Sequence, residues 1–263
     1  MNIFETIFLG IIQGLTEFLP VSSSGHLVFF QNILGFKEPE LLLDCSLHVG
    51  TLLAVCIYFK SDLKKIISET WRFDFKKPHA NLGLWVVVGS IPTGIIGLIF
   101  KTPLERFFGS VIMVGLMLVA TGVIVSLTKM IPKGYGSRIQ VGVLAALAVG
   151  TAQGLAIIPG ISRSGATIVC GLLLGLDREL AARFSFLLSI PAIIGAVAIQ
   201  WNIEALQRVG LVPLLFGFSA SALVGLLALK LLMSMVRRGH LYYFAPYCWA
   251  VGLFIIFTNI LGF

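Results

Sequence analysis

Along most of this chain apolar residues run on in long stretches, and the polar ones gather between them. A helix needs about 20 predominantly apolar residues to cross roughly 30 Å of hydrocarbon. By that measure spans are predicted at 41–59, 82–100, 110–128, 184–200, 213–235 and 241–262. Two further stretches, 1–35 and 139–176, are as apolar but are broken mid-way by Gly, Pro and Ser. A stretch of that kind can enter the bilayer, turn, and leave on the side it came from. Such a re-entrant hairpin is tolerated only where protein or a water-filled cavity satisfies its free backbone groups. The pattern predicts an all-α polytopic membrane protein with six transmembrane helices and two re-entrant helical hairpins.

The two broken stretches resemble each other. GIIQGLTEFLPVSSSGHLV, from Gly10, aligns without a gap on GTAQGLAIIPGISRSGATI, from Gly150. Gly10, Gln13, Gly14, Leu15, Ser22, Ser24 and Gly25 meet Gly150, Gln153, Gly154, Leu155, Ser162, Ser164 and Gly165. Farther on, ILG at 33–35 meets LLG at 173–175. A single membrane domain of two repeats is expected, about 1–130 and about 139–263, each a hairpin followed by three spans. Three is odd, so the second repeat must be inverted relative to the first. Inverted repeats with broken helices in matching positions point to a polar site near the bilayer midplane, where the halves meet.

Composition agrees with the pattern. Of the 263 residues 57% are hydrophobic and 12% are charged, against about 25% charged in an ordinary soluble domain. So few charges cannot build a water-facing surface. The opening MNIFETIFLG carries Glu5 where a signal peptide would be basic, so this stretch is expected to belong to the mature fold. Cys45, Cys56, Cys170 and Cys248 stand singly in apolar segments and are expected to be packing residues. Trp71, Trp85, Trp201 and Trp249 fall near span ends or loops, as interfacial anchors do.

The net charge of +7 changes meaning once the charges are located. They lie in loops between apolar segments, which points to an anionic membrane leaflet and not to nucleic acid. The predicted spans place Lys60, Lys64, Lys65, Arg72, Lys76, Lys77, Lys129, Lys133, Arg138, Arg178, Arg183, Lys230, Arg237 and Arg238 on one side. Only Lys37, Lys101, Arg106 and Arg208 fall on the other. The positive-inside rule makes the first side cytoplasmic and puts both termini outside. The first hairpin then enters from outside and the second from the cytoplasm.

The hairpin tips bring unlike chemistry together. The first offers Glu17, Ser22, Ser23, Ser24 and His26; the second offers Ser162, Arg163, Ser164 and Thr167. A carboxylate left at the membrane centre costs about 2.5–3.5 kcal/mol on insertion scales. Glu17 therefore either forms a structural pair with Arg163 or serves to bind a divalent cation or move a proton. The turns PVSSSG and PGISRSGAT present backbone N–H groups beside hydroxyls, a nest for phosphate oxygens, although the serines could equally be helix caps. Arg163 adds a guanidinium that can grip phosphate with two donors. His26 could be a core imidazole, a general base or a nucleophile. Asp44 and His48, four apart at the start of a span, read first as structural residues and second as lining of the same cavity.

QGLTEFLPVSSSGH together with PGISRSGAT closely resembles the two signature motifs of the undecaprenyl pyrophosphate phosphatases of the bacitracin-resistance type. The resemblance covers both motifs, their separation and the repeat, hence nearly the whole chain. It implies an inner-membrane enzyme that removes the terminal phosphate of undecaprenyl diphosphate, recycles the carrier for peptidoglycan and other envelope polymers, and confers bacitracin resistance. It also implies a divalent cation, Mg²⁺ or Ca²⁺, and an active site open to the periplasm. Many relatives carry glutamate at both ends of the first motif. Here those positions are Gln13 and Glu17, so Glu17 is the motif's one carboxylate, with Gln13 beside it as a further metal ligand. By motif position Glu17, Ser23, His26 and Arg163 are the catalytic residues. Ser22, Ser24, Gly160, Ser162, Ser164 and Thr167 are the phosphate contacts.

Three forms of attack are compatible with these residues: Ser23 with His26 as its base, His26 itself, or a water activated by His26. The three-residue spacing favours the first. The expected partners are a polyprenyl diphosphate and membrane lipid, and a homodimer stays open. The rival reading is a polyprenyl-phosphate transporter or flippase, which would use the same inverted-repeat cavity. A transporter, however, has no need of a nucleophile and a base facing an arginine.

Overall fold

The computed structural model describes residues 2–36, 41–71, 74, 76–100, 110–132, 135–200 and 210–261. Lys37, Arg72, Lys101, Arg106, Lys133, Trp201 and Arg208 lie outside these residues. Helices account for nearly all the regular structure. The only bridge among the described residues joins Arg138 to Leu176 and ties the chain ahead of the second hairpin to that hairpin's far end.

The first hairpin is α1 (Ile3–Phe18) and α2 (Ser23–Ile33). Asn2 and Glu5 close a capping box at the start of α1, which satisfies donors that would otherwise be left open. α1 stops before Pro20 because the residue ahead of a proline is forced out of helical geometry, and Leu19 is extended. Next come α3 (Leu41–Tyr58), α4 (Lys60–Thr70), α5 (Pro78–Ile99) and α6 (Val111–Ser126), with a 3₁₀ turn at Leu127–Met130. The second hairpin is α7 (Val143–Leu155) and α8 (Arg163–Leu173), broken at Pro159-Gly160. It is followed by α9 (Arg178–Gln200), α10 (Leu211–Arg238), a 3₁₀ turn at Leu241–Phe244 and α11 (Ala245–Leu261).

Five helical segments among the described residues are long and apolar enough to cross a membrane. They correspond to the predicted spans from 82–100 onward. α3 and α4 together make a sixth candidate, bent by 77° at Phe59. The fold is thus an all-α polytopic membrane protein.

α4 has no counterpart among the predicted spans, because its residues read in the sequence as a basic loop. Lys60, Lys64 and Lys65 are exposed on it, while Leu63 and Ile66 pack against the core. That amphipathic division suits a helix lying along the membrane surface. α9 also begins earlier than expected. Asp177 caps it, its carboxylate accepting from the backbone N–H groups of Glu179 (2.9 Å) and Leu180 (3.2 Å).

The two halves pack reciprocally. α1 of the first hairpin lies against α10, and α7 of the second lies against α5. α6 and α11 pack on each other. The aligned glycines explain the close approach of the first two pairs. A Cβ on Gly14 would stand 2.8 Å from the backbone nitrogen of Gly225, and one on Gly150 would collide with the carbonyl oxygen of Gly89. Gly10 and Gly14 on α1, and Gly150 and Gly154 on α7, are small-xxx-small stripes of the kind that let membrane helices pack backbone to backbone. In α5, Trp85 packs against the core and donates its indole N–H to Asn81 (2.9 Å). Trp249 lies over Gly122 of α6. Both are partly buried in the early turns of their helices; Trp71, at the end of α4, is exposed.

Candidate active site

The packing of α1 against α10 and α7 against α5 brings the two hairpin tips into contact. Ser164 Oγ donates to the carbonyl of Leu19 (3.3 Å), so one turn satisfies the broken backbone of the other. Thr121 of α6 clamps the second tip, donating to the carbonyl of Gly160 (2.8 Å) and accepting from the N–H of Ser162 (2.9 Å). Cys248 of α11 holds the first, its thiol 3.4 Å from the carbonyl of Pro20.

Glu17, in the last turn of α1, is the hub. Its carboxylate is buried, and four side chains converge on it. Gln13, one turn earlier, donates an amide N–H to Oε2 (3.0 Å). Ser23, the first residue of α2, donates its hydroxyl to the same oxygen (2.6 Å). Arg163, the first residue of α8, pairs with Oε1 across the hairpin interface. His48 of α3 faces Oε2 at 3.5 Å, and its other nitrogen donates to the carbonyl of Asp44 (2.7 Å). Gln31 of α2 holds Asp44 in turn (2.7 Å). A buried carboxylate is tolerable only when paired and hydrogen-bonded in this way.

The structure joins Glu17, Gln13, Ser23 and Arg163 as expected, but it does not couple Ser23 to His26. His26 turns the other way. Its Nδ1 lies 2.8 Å from the carbonyl of Ser22 and its Nε2 lies 2.8 Å from the hydroxyl of Tyr247 on α11. Ser23 and His26 share a helix, yet their hydrogen bonds serve different neighbours. Tyr247 escapes notice in the sequence because it is 221 positions away. His48, which the sequence favours as a structural residue, belongs to the hub.

The residues expected to bind phosphate are largely engaged in building the turns. Ser22 and Ser162 are the N-caps of α2 and α8, each accepting from the N–H three residues on, Gly25 (3.3 Å) and Gly165 (3.1 Å). Ser24 and Ser164 sit within 3.3 Å and 3.2 Å of those capping hydroxyls. Thr167 donates to the carbonyl of Arg163 (2.7 Å) and meets Ser185. Gly160 has φ +97°, and a Cβ there would lie 2.5 Å from the carbonyl oxygen of Val114. α2 and α8 both begin at the Glu17 carboxylate, through Ser23 and Arg163, and the first N–H groups of a helix have no intrahelical partner and favour an anion.

Two buried polar atoms in the hub have no hydrogen-bond partner: Gln13 Oε1 and Arg163 Nη1. One is an oxygen donor for a hard cation, the other a donor for a phosphate oxygen. Among the described residues no three His, Cys, Asp or Glu side chains converge on one metal position. A cation here would draw on Glu17, on the amide oxygen of Gln13 and on the bound anion itself.

A buried acid, an arginine and a hydroxyl gathered at the tips of two broken helices give this polytopic membrane protein a buried polar site where the two hairpins meet. Residues 6–254 match the family model of the bacitracin resistance protein BacA, and the chain belongs to that family. It is 45% identical to an undecaprenyl-diphosphatase of Desulfatibacillum aliphaticivorans, over 98% of this chain and 99% of that protein. It is 47% identical to one of Halothermothrix orenii, over 97% and 98%. The similarity extends to one of Methanobrevibacter smithii at 39%, over 99% of both.

Proposed function

We propose that this protein hydrolyses undecaprenyl diphosphate to undecaprenyl phosphate and inorganic phosphate, and so recycles the lipid carrier of peptidoglycan and other envelope polymers. Its relatives carry that activity in their name. Consumption of the diphosphate lipid would also confer bacitracin resistance. The observation that carries the reading is the convergence of Ser23, Gln13 and Arg163 on the Glu17 carboxylate. A site that only bound and moved an anion would need the arginine but not a hydroxyl aligned by an acid.

The lipid tail lies between spans, and its diphosphate reaches the facing hairpin tips. Arg163, through its unpartnered Nη1, and the first N–H groups of α2 and α8 take oxygens of the transferred phosphoryl group. Glu17 can only accept a hydrogen bond, so the Ser23 hydroxyl points its proton at Oε2 and leaves its lone pairs free. Ser23 Oγ attacks the terminal phosphorus as Glu17 takes that proton. The bond to the bridging oxygen breaks, and undecaprenyl phosphate departs. Water then cleaves the phosphoserine, with its proton passed on to His26 and from there released to solvent, and the Ser23 proton returned from Glu17. Inorganic phosphate leaves. A bound Mg²⁺ or Ca²⁺, held by Glu17 and Gln13 Oε1, would supply charge neutralisation for the leaving diphosphate oxygens.

The remaining topology belongs to the same reading: one membrane domain of two inverted repeats, both termini periplasmic, and a site open to the periplasm. Lys60, Lys64 and Lys65 of α4, Lys76 and Lys77 ahead of α5, Arg178 and Arg183 at the start of α9, and Arg237 and Arg238 at the end of α10 support that orientation. The experiment is phosphate release from a long-chain polyprenyl diphosphate by the purified protein, with and without EDTA, beside Glu17→Ala and His26→Ala. Metal-dependent release that both substitutions abolish upholds the reading. No release from folded protein supplied with Mg²⁺ or Ca²⁺ replaces it with a transporter of the same lipid.

A further inference from the structure

His26 is held at both ring nitrogens, and only one of its two partners is a backbone group. The Ser22 carbonyl can only accept, so Nδ1, at 2.8 Å, carries a hydrogen. In the neutral ring Nε2 is then the lone-pair nitrogen, and the Tyr247 hydroxyl, at 2.8 Å, donates to it. Both fixings are themselves built. Ser22 is the one non-glycine residue with positive φ among the described residues (67°), and that backbone conformation aims its carbonyl back over the first turn of α2. Tyr247 is delivered by α11, whose next residue, Cys248, meets the hairpin turn at Pro20. The two rings lie nearly parallel, 4° apart with centroids at 5.8 Å, so Tyr247 also limits the tilt of the imidazole.

We infer that Tyr247 is the proton relay to His26: its hydroxyl lies on the Nε2 lone pair, gives its own proton to that nitrogen and takes the proton of the attacking water in exchange. This rests on the phosphatase reading for its effect on turnover, and on the hydrogen bond alone for its effect on the ring. A phenol suits the task because its oxygen donates to the neutral imidazole and accepts from the protonated one. The hydrogen bond therefore survives the proton transfer with its direction reversed. Phenylalanine fills the same space and can do neither.

The test compares wild-type protein with Tyr247→Phe and with 3-fluorotyrosine at position 247, which keeps both ring and hydroxyl. In ¹⁵N-imidazole-labelled protein without substrate, the Phe variant should shift the Nε2 resonance of His26 toward a free lone pair and leave Nδ1 protonated. With polyprenyl diphosphate and Mg²⁺, its kcat should fall roughly tenfold or more, part of the about 10²–10⁴ that a positioned general base supplies. KM should stay within about twofold, because Tyr247 makes no ground-state contact that the substrate needs. The fluorotyrosine protein should behave as wild type. An unshifted Nε2 resonance would overturn the hydrogen-bond assignment whatever the activity. Wild-type kcat in the Phe variant of an active enzyme would overturn the role. Inactive wild-type protein with the shifted resonance would keep Tyr247 as the partner of His26 and remove the phosphatase reading instead.

Discussion

Ser23 and Arg163 occupy the same place in two related hairpins, each the first residue of the helix after the break, and both reach the carboxylate of Glu17. One repeat position has become a hydroxyl and its counterpart a guanidinium. The position that aligns with Glu17 in the second repeat is Ile157, and the one that aligns with His26 is Ala166. The two hairpins therefore align in sequence and differ in chemistry. The acid, the hydroxyl and the imidazole come from one tip and the cation from the other.

Because the cation comes from the other tip, its removal should be felt by both fold and activity. Breaking one partner from a buried ion pair costs about 3–5 kcal/mol, since the other charge is left uncompensated. Arg163→Ala should lower the unfolding temperature in detergent markedly, and adding Glu17→Gln to it should restore much of the loss. Arg163→Lys keeps a charge near Glu17 and should unfold close to wild type. It should still lose most phosphate release, because an ammonium cannot reproduce the forked grip on phosphate. Near-normal turnover in Arg163→Lys would remove Arg163 from the transferred phosphoryl group.

Much of this arrangement is legible in the sequence because it is local. Uninterrupted apolar length marks a span, and a Pro-Gly-Ser break inside one marks a hairpin, so pattern alone places both hairpins and the later spans. α4 escapes that reading because a short helix lying along a surface carries charge and lacks a long apolar run. Tyr247 and His48 are missed or undervalued because their roles depend on which helices touch, and no periodicity records that α11 meets α2 or that α3 meets α1. The serines show a different difficulty. Ser22 and Ser162 suit a phosphate nest and an N-cap equally well by residue type, and the structure uses their hydroxyls as caps.

The cap at Ser22 and the strain at Ser22 oppose each other, and substitutions can separate them. Loss of an N-cap hydroxyl to alanine costs about 1 kcal/mol, while loss to glycine costs only a few tenths. At φ 67° an alanine keeps the strain and a glycine relieves it. Ser22→Ala should therefore be less stable than wild type by about 1 kcal/mol, and Ser22→Gly should equal wild type or exceed it. Chemical denaturation in mixed micelles would measure both. Wild-type stability in both variants would mean that neither the cap nor the backbone conformation matters there.

The close crossing of α7 and α5 makes a second structural demand. A Cβ at Gly150 would run into the carbonyl oxygen of Gly89, so backbone would have to yield. Overpacking of this kind costs about 1–3 kcal/mol or more. Gly94 lies on the same α5, but a Cβ added there would meet nothing within 4 Å, so it serves as the control. Gly150→Ala should lower the unfolding midpoint and also activity, since α7 carries the second tip. Gly94→Ala should leave stability unchanged or raise it by roughly 0.5–1 kcal/mol through helix propensity alone. Equal behaviour of the two would show that the α5–α7 crossing is looser than the glycine stripe requires.

The division of labour between Ser23 and His26 makes a chemical prediction that stability cannot supply. If Ser23 attacks and His26 serves the water that follows, removing His26 should stop the cycle half-way. His26→Ala, given polyprenyl diphosphate labelled at its terminal phosphate, should accumulate labelled protein. A serine phosphomonoester survives acid, whereas a phosphohistidine does not, so the label should persist through acid precipitation. It should be absent from the Ser23→Ala/His26→Ala double variant. Acid-labile label on wild-type protein would instead make the imidazole the nucleophile. The Ser23–Glu17 hydrogen bond would then be a structural link between α2 and α1. No label in any variant of an active enzyme would leave direct attack by water, with Ser23 and Arg163 fixing the carboxylate that the diphosphate and its cation meet.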